Sequence, residues 1–416
     1  MKQAICIFED DGYENLLPLV YLRPAYDLLC GILTLREKIT RRFPKAEIIL
    51  HTRNYLADFV KEKNPGFLVN ELDAEIITFI NGRLLVDDSI AASIKKLKED
   101  SLLHCGKNVA AAKLSKRNYT KIILADGKIN FGQLTDIDQV NSNAKLIDYP
   151  WDLVNYNGKE IENDFTLLSK SRQTNSKKFK AVEIINKKNV FIGKRAIIDP
   201  FVVLDASNGP IYIGNDARIM SHASIEGPAY IGESTVVKMH ASVYHNTSIG
   251  KVCKVGGEVE NSIMHSYSNK QHEGFLGHSY LGSWVNIGAS TNNSDLKNNY
   301  GIVEVLINNK PVNSGSQFAG LFMGDHSKTG INTMFNTGTV VGVSCNVFGN
   351  GFPSKFIPSF SWCGLDSLNE YDLQKALETA QTVMKRRNVE TTSTEKELLK
   401  TVFELTRNER QTTGGK

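Results

Sequence analysis

The sequence predicts a Rossmann-like α/β domain, then a left-handed parallel β-helix of hexapeptide repeats, then a C-terminal helical tail. Three observations carry this reading. Ile213, Ile219, Ile225, Ile231, Val237, Val243, Ile249 and Val255 recur every six residues, a period that belongs neither to an α-helix nor to a strand. Ahead of them, strand-like apolar runs alternate with helical stretches; behind them, Leu373, Leu377, Ala380 and Met384 fall on one helical face. A six-residue period suits a chain that turns a corner every six residues and aims each aliphatic into a triangular prism. Ile213-Gly214, Ile231-Gly232 and Ile249-Gly250 mark whole coils of 18 residues. Stacked coils pair as parallel strands roughly 4.8 Å apart.

The elements follow in order. Residues 1–168 form the α/β domain, with strands at Ala4 to Phe8, Glu47 to Leu50 and Ile76 to Asn81 and a helix from Leu33 to Arg42. That alternation implies a mostly parallel sheet. Residues 169–181, polar and basic, read as a linker. The β-helix occupies 182–365: Ile192, Ile198 and Leu204 extend the period upstream, and Phe275, Leu281, Ile287, Phe335, Val341 and Val347 resume it downstream. An insertion from Thr291 to Phe318 carries a hairpin around Asn308-Asn309-Lys310-Pro311. Residues 366–416 hold two helical pieces, the second bearing Leu398, Val402 and Leu405, and a disordered tail from Gln411.

Composition narrows the function. A net charge of +4 over 416 residues gives no support for nucleic acid as a partner and suits phosphate-bearing small molecules. The six cysteines are scattered, without a Cys-x-x-Cys pair, so a cytoplasmic setting is expected. No apolar run is long enough for a membrane span, and the opening MKQAICIFEDDG is too acidic for a signal peptide.

The run Asn269-Lys270-Gln271-His272 through Gly277, followed by Val285-Asn286-Ile287-Gly288-Ala289-Ser290-Thr291, resembles the K-A-G-H and N-I-G-A-G-T motifs of the GlmU family. That family joins an N-acetylglucosamine-1-phosphate uridylyltransferase to a glucosamine-1-phosphate acetyltransferase, and this chain looks like a divergent branch of it. The order of the two halves also matches. The resemblance implies an acetyl-CoA-dependent N-acetyltransferase acting on an amino-sugar phosphate or a nucleotide-linked amino sugar. It further implies sugar-1-phosphate nucleotidyl transfer of the UDP-N-acetylglucosamine type, in cell-envelope biosynthesis, by a homotrimer.

His272 is then the general base: acetyl transfer needs a neutral amine, and a histidine can take the proton as that amine attacks the thioester. Glu258 is its orienting acid. Asn286 and Lys270 fall on the sugar side, and Ala289, Ser290, Thr291, Gly324 and His326 on the acetyl-CoA side. The competing readings are structural: a surface histidine, a solvated corner glutamate, an asparagine of the repeat. Two departures bear on the acceptor. Glu260 stands where the family has a lysine, and Ser242, Tyr244 and His245 occupy the region of its arginine, so another amino sugar or an alcohol fits as well.

The first domain departs further. Its first strand leads not into a glycine-rich phosphate loop but into Glu9-Asp10-Asp11-Gly12. Leu17-Pro18-Leu19 and Arg23-Pro24 are similar to the family's P-L-T and R-P-K, and Asn81-Gly82-Arg83 replaces its metal-binding Gly-Asp. Two readings stay open. Either Asp10 and Asp11 hold Mg²⁺ while Arg23 and Arg83 bind a nucleoside triphosphate, or the domain only binds and scaffolds. For the whole chain, the alternative to an enzyme is a non-catalytic regulatory or scaffold protein. A γ-carbonic anhydrase needs three suitably placed metal-binding histidines, and His222, His240, His245 and His265 do not form that pattern.

Overall fold

A computed structural model describes residues 2–124, 127–134, 136–169, 179–349, 351–364 and 368–413; the expected linker lies largely outside them. The first domain is a seven-stranded sheet. Its strands are β1 (Gln3–Phe8), β2 (Glu47–Leu50), β3 (Leu68–Val69), β4 (Ile76–Asn81), β5 (Ser101–Cys105), β6 (Asn108–Ser115) and β7 (Asp138–Asn141). They lie in the order β7-β5-β6-β4-β1-β2-β3. β1 pairs in parallel with β2 and β4, but β6 runs antiparallel to both neighbours. The sheet is therefore mixed: Gly106 at positive φ closes a tight β5–β6 hairpin where a helical crossover was expected. Helix α1 spans Leu35–Arg42, opened by a Thr34/Glu37 capping box, and α2 spans Asn54–Lys63.

The second unit is a left-handed β-helix. Every one of the eight six-spaced aliphatics is sealed in a single core running along its bore. One face has nine parallel strands; the second has six; the third is split into five and four. At one corner the chain turns through Asp216, Ser234, Val252, Tyr267, Trp284, His326, Ser344 and Phe360, all left-handed. Such a residue costs roughly 1–2 kcal/mol when it is not glycine. Each from Ser234 onward offsets that cost by donating its N–H to the preceding coil, as Trp284 does to Ser266 and His326 to Ser283.

The period slips at several coils: 21 residues separate Val190 from Ile211, 15 separate Ile249 from Met264 and 17 separate Ile263 from Tyr280. Phe275 was expected inside, but Leu276 pairs with Val259 and fills the bore while Phe275 pairs with Glu258 and faces out. The coil from Lys254 to Asn269 is shorter than 18 residues, and the register moves with it. The inserted hairpin forms as expected, Glu304–Ile307 against Lys310–Asn313, with Asn308 and Asn309 both at positive φ.

The two units are fused. On the nine-stranded face the outward residues Tyr212, Tyr230, Ser248, Ile263, Tyr280, Phe322, Val340 and Phe356 are in register, rung by rung. Ile263, Tyr280, Phe322, Val340 and Phe356 share one apolar cluster with Leu16, Leu28, Leu29, Trp151 and Val154 of the first domain. Helix α3 spans Asp88–Lys95, α4 spans Lys116–Ile122 and α5 spans Pro150–Ser169. Buried Lys38 of α1 grips Glu160 and Asp164 of α5 at 2.8 and 2.5 Å. From α5, Asn157 donates to the carbonyl of Asn246 at 2.7 Å and accepts from Ser248 Oγ at 3.0 Å.

Helices α6 (Leu373–Lys385), α7 (Ser393–Leu405) and α8 (Arg407–Thr413) then fold back onto the first domain. Their Leu377, Ala380, Leu398 and Val402 join the cluster of Ile39, Leu56 and Val60. Leu405, expected on the buried face, is exposed; Leu399 and Phe403 take that role because α7 packs on a wider stripe. Helix α8 extends through Gln411 to Thr413, so the first part of the expected tail is helical. No helix among the described residues is long and apolar enough to cross a membrane.

The bore and the outer ladder are separable. Ile231→Ala should cost ~2–4 kcal/mol in denaturant unfolding. Val236→Thr, on the outward side of a neighbouring strand, should stay within ~0.5 kcal/mol.

Candidate functional site

Two places gather chemistry. The first is a cleft of about 680 Å³ over the C-terminal ends of β1 and β2, where open α/β sheets present their ligand crevice. Glu9, Asp10 and Asp11 leave β1 there; His51, Thr52 and Arg53 leave β2. Buried Glu9 accepts from Thr52 Oγ1 at 2.6 Å, from Ala25 N at 2.8 Å and from Arg53 Nε at 3.2 Å. The Arg53 guanidinium lies 4.2 Å over the Tyr13 ring and 5.2 Å from the Tyr55 ring centre. His51 Nε2 bonds the carbonyl of Gly127 at 2.8 Å, and burial holds its pKa below the usual histidine value. Lys128 reaches Asp11 at 3.2 Å. The inserted hairpin supplies Asn308 and the C-terminal helices supply Leu405 and Glu409, so all parts of the chain wall this cleft.

The residues singled out in the sequence fare differently. Arg83 is almost fully buried. It clasps Asp10 with Nε and Nη2 at 2.7 Å each and donates through Nη1 to Asp148 and to the carbonyl of Ile147. It is a tether beneath the cleft rather than a nucleotide ligand. Burial opposes ionisation of Asp10, yet Arg83 holds its carboxyl below the usual range. Asn81 Nδ2 takes a further position on it at 2.8 Å. Three of the carboxylate's roughly four lone-pair positions are taken, and a guanidinium already balances its charge. No group of three or more His, Cys, Asp or Glu fit to hold a metal occurs among the described residues. Asp10 and Asp11 therefore do not fit an Mg²⁺ site. Arg23 lies outside this cleft, ion-paired to Asp325 of the β-helix at 2.5 Å. Arg53, Tyr13 and Lys128 escaped notice in the sequence; the rule that ligands gather at strand C-termini would have found Arg53, two residues after His51.

The second place is one edge of the prism, the corner leading from the third face to the six-stranded face. Glu258, His272 and Ala289-Ser290-Thr291 occupy this edge on successive coils, with His272 exposed. Ser290 Oγ donates to Glu273 Oε1 at 2.7 Å, tying two of those coils together. Asn286 bridges in parallel to Asn269, which accepts from Arg387 Nη2 at 2.7 Å.

Lys270 does not face outward. It takes the inward place that Val255 fills one coil earlier, and its ammonium donates to the carbonyls of Gly256, His272 and Gly274 at 3.0, 3.1 and 2.6 Å. It thus pins the corner carrying His272 from inside the bore. Burial pushes its pKa down to about 8, with Glu273 and Glu258 acting the other way. Gly324 is packed against the backbone of Gly342 and Val343, where a Cβ would come within 3.0 Å. His326 sits on a different edge from His272, buried beside Arg23. Within one chain the residues assigned to acetyl-CoA therefore divide: Ala289 to Thr291 lie with His272, Gly324 and His326 apart from it.

The comparisons with known proteins bear first on the N-terminal domain. Residues 5–173 match the family model described as sugar nucleotidyl transferase. A curated bifunctional sugar-1-phosphate nucleotidylyltransferase/acetyltransferase of Sulfurisphaera tokodaii is 31% identical over 91 residues, 22% of this chain and 23% of that protein. The match thus spans less than a quarter of the relative's length. Among solved structures, the UDP-N-acetylglucosamine acyltransferase of Arabidopsis aligns over 56% of this chain and 91% of its own, at 15% identity and a TM-score of 0.23. That of Campylobacter jejuni aligns over 55% and 95%, at 13% identity and a TM-score of 0.29.

Lys270 yields a pH test with a definite sign. Its folded pKa is below the unfolded 10.5, so the unfolded chain binds more protons between the two values and stability rises with pH there. Wild type should gain up to ~1.4 kcal/mol per pH unit through that window relative to Lys270→Met. Parallel curves for the two proteins in urea unfolding would show that the ammonium is not strained by burial.

Proposed function

We propose that this protein is an acyl-CoA-dependent N-acetyltransferase whose acceptor is an amino sugar carrying a phosphate or nucleotide, with a first domain that binds the nucleotide end. The observation that carries the reading is the edge just described. An exposed histidine stands between Glu258 one coil before it and the Ala289-Ser290-Thr291 corner one coil after it, in the motif order of the acetyltransferase. His272 takes the proton that the sugar nitrogen loses as it forms the C–N bond, and the proton passes to the coenzyme A thiolate that departs as the C–S bond breaks. Acetyl-CoA supplies the acyl group when bound. The name of the Sulfurisphaera tokodaii relative, joining nucleotidyl and acetyl transfer, supports both halves of the proposal.

A homotrimer completes the site. The same edge bears Phe201, Met239 and Ile331 at 62%, 52% and 69% exposure, a row that a neighbouring prism would cover. Cytoplasmic supply of nucleotide sugars for the cell envelope is the setting consistent with this chemistry. In the first domain, Lys128 is the group suited to phosphate and the Tyr13 ring to a base, while buried Arg53 is spent on Glu9, on Tyr55 Oη and on the carbonyls of Val20 and Arg23 and frames the cleft. The Asp10 carboxylate, balanced by Arg83, favours binding over nucleotidyl transfer there, and the scaffold alternative survives for that half.

Thiol release from acetyl-CoA, assayed across amino sugars and UDP- and dTDP-linked amino sugars, tests the proposal. His272→Ala should lower kcat/KM at least ~10²-fold with the melting temperature unchanged. Equal turnover by both proteins would remove His272 as the base. In a separate equilibrium-binding measurement, Lys128→Glu, a half-exposed substitution in the cleft, should weaken nucleotide binding ~10-fold or more while leaving acetyl transfer to a free amino sugar intact.

A further inference from the structure

A second cavity of about 630 Å³ lies where the first domain, the β-helix and the C-terminal helices meet. Its floor holds two polar groups in an unusual state. Arg23, about nine-tenths buried, spends Nη2 on Ser283 Oγ at 3.1 Å and on Asp325, but its Nη1 has no hydrogen-bond partner. His326, also about nine-tenths buried, has a backbone bond to Ser283, but its ring Nδ1 has no partner either. Leaving a buried polar atom unpaired costs ~1–3 kcal/mol, and native proteins rarely leave two unpaired in one place.

The charges around the floor sort clearly. Asp27 is paired to Arg36 at 2.8 Å, Asp325 to Arg23, and Glu395 to Lys63 at 3.2 Å; Glu37 closes the capping box of α1. On the cationic side, neither Arg41 nor Lys251 has a carboxylate within ion-pair distance among the described residues, and both line the opening. The residual field is positive. The remaining wall is apolar and aromatic, including Leu29, Tyr230, Trp284, Met384 and Leu398. Burial and the charges of Lys328 and Arg23 press His326 down to about 3, so it is a neutral imidazole able to donate to an anionic oxygen.

From this juxtaposition we infer that the three-way cavity is a binding site for a phosphate ester with an apolar or aromatic organic part, of nucleotide type. The phosphate oxygens satisfy Arg23 Nη1 and the His326 ring, Lys251 and Arg41 meet the remaining charge, and the organic part lies on the apolar wall. The site is distinct from the strand-end cleft and from the His272 edge, neither of which shares these residues. A ligand there touches all three parts of the chain at once, so its occupancy stiffens their joint arrangement.

Calorimetric titration of the full chain with UDP, ADP, glucose 1-phosphate and inorganic phosphate tests the site, alongside thermal melting. A phosphate ester should bind and raise the melting temperature, with inorganic phosphate at least ~10-fold weaker because it leaves the apolar wall empty. Lys251→Glu, an exposed substitution, and Val389→Trp, at the half-buried rim, should each weaken that binding ~10-fold or more without shifting the unliganded melting temperature. His326→Leu should raise the unliganded melting temperature, since it removes an unpaired polar group, and abolish the ligand-induced shift. Lys128→Glu, in the strand-end cleft, should leave this binding intact, which separates it from that cleft and from failure of the function proposed above. Binding that survives both Lys251→Glu and Val389→Trp, or no binding of any ester at millimolar concentration, overturns the inference.

Discussion

Most rungs of the nine-stranded face are asked to be apolar or aromatic on both sides, and the rest of the molecule depends on that demand. Ile213, Ile231, Met264, Leu281 and Met323 point inward and seal the bore, while Tyr212, Tyr230, Ile263, Tyr280 and Phe322 point outward on the same rungs; the Ile249 rung carries Ser248 outside, which bonds the carbonyl of Gly31. A strand that faced water on its outer side would carry polar residues there. Here the outer side becomes the floor on which the first domain sits. Burying a large side chain of this kind contributes ~1.5–3 kcal/mol, so several rungs together fix the orientation of one unit on the other. The linker need not do so.

That fusion explains features that neither unit accounts for alone. Tyr280 Oη accepts from Leu29 N at 3.0 Å, His265 Nε2 bonds the carbonyl of Asp27 at 2.9 Å, and Arg23 reaches Asp325. All of these cross the same seam. Arg23 follows the cis Leu17-Pro18 segment in the first domain, yet its charge is balanced by the second. The inserted hairpin arches over the seam in the other direction: Val303, Val305 and Ile307 are buried against the first domain, and Asn308 Nδ2 donates to the carbonyl of Glu14 at 3.1 Å. The strand-end cleft and the three-way cavity both draw walls from distant parts of the chain for this reason.

The proposed acetyl site follows a different logic. It sits on the edge left free by the fused domain, where exposed apolar residues and His272 share one line. Lys270 shows how the prism can be altered from within. A cation placed in the aliphatic bore is tolerable only because three carbonyls converge on it, and those carbonyls belong to the corner that presents His272. The cost of burying the ammonium is thereby turned into rigidity at that corner.

The hexapeptide period, the Leu35–Arg42 helix, the first strands and the Asn308-Asn309 hairpin were all legible in the sequence, because each depends on contacts within one coil or one turn. The 18-residue coil also carries His272 to Ser290 on the next turn, whereas Glu258 came to this edge only through the family resemblance, because the coil before His272 is short. Other features depended on partners far along the chain. Arg83 read as a phosphate ligand until Asp10 and Asp148 closed on it, and Lys270 read as a substrate contact until a short coil turned it inward. Phe275 and Leu276 exchanged roles through that same slip of register. Local spacing thus determined the scaffold and the histidine's edge. Only the packed tertiary structure decided which charges remain available, because a side chain's freedom is set by what long-range folding brings against it.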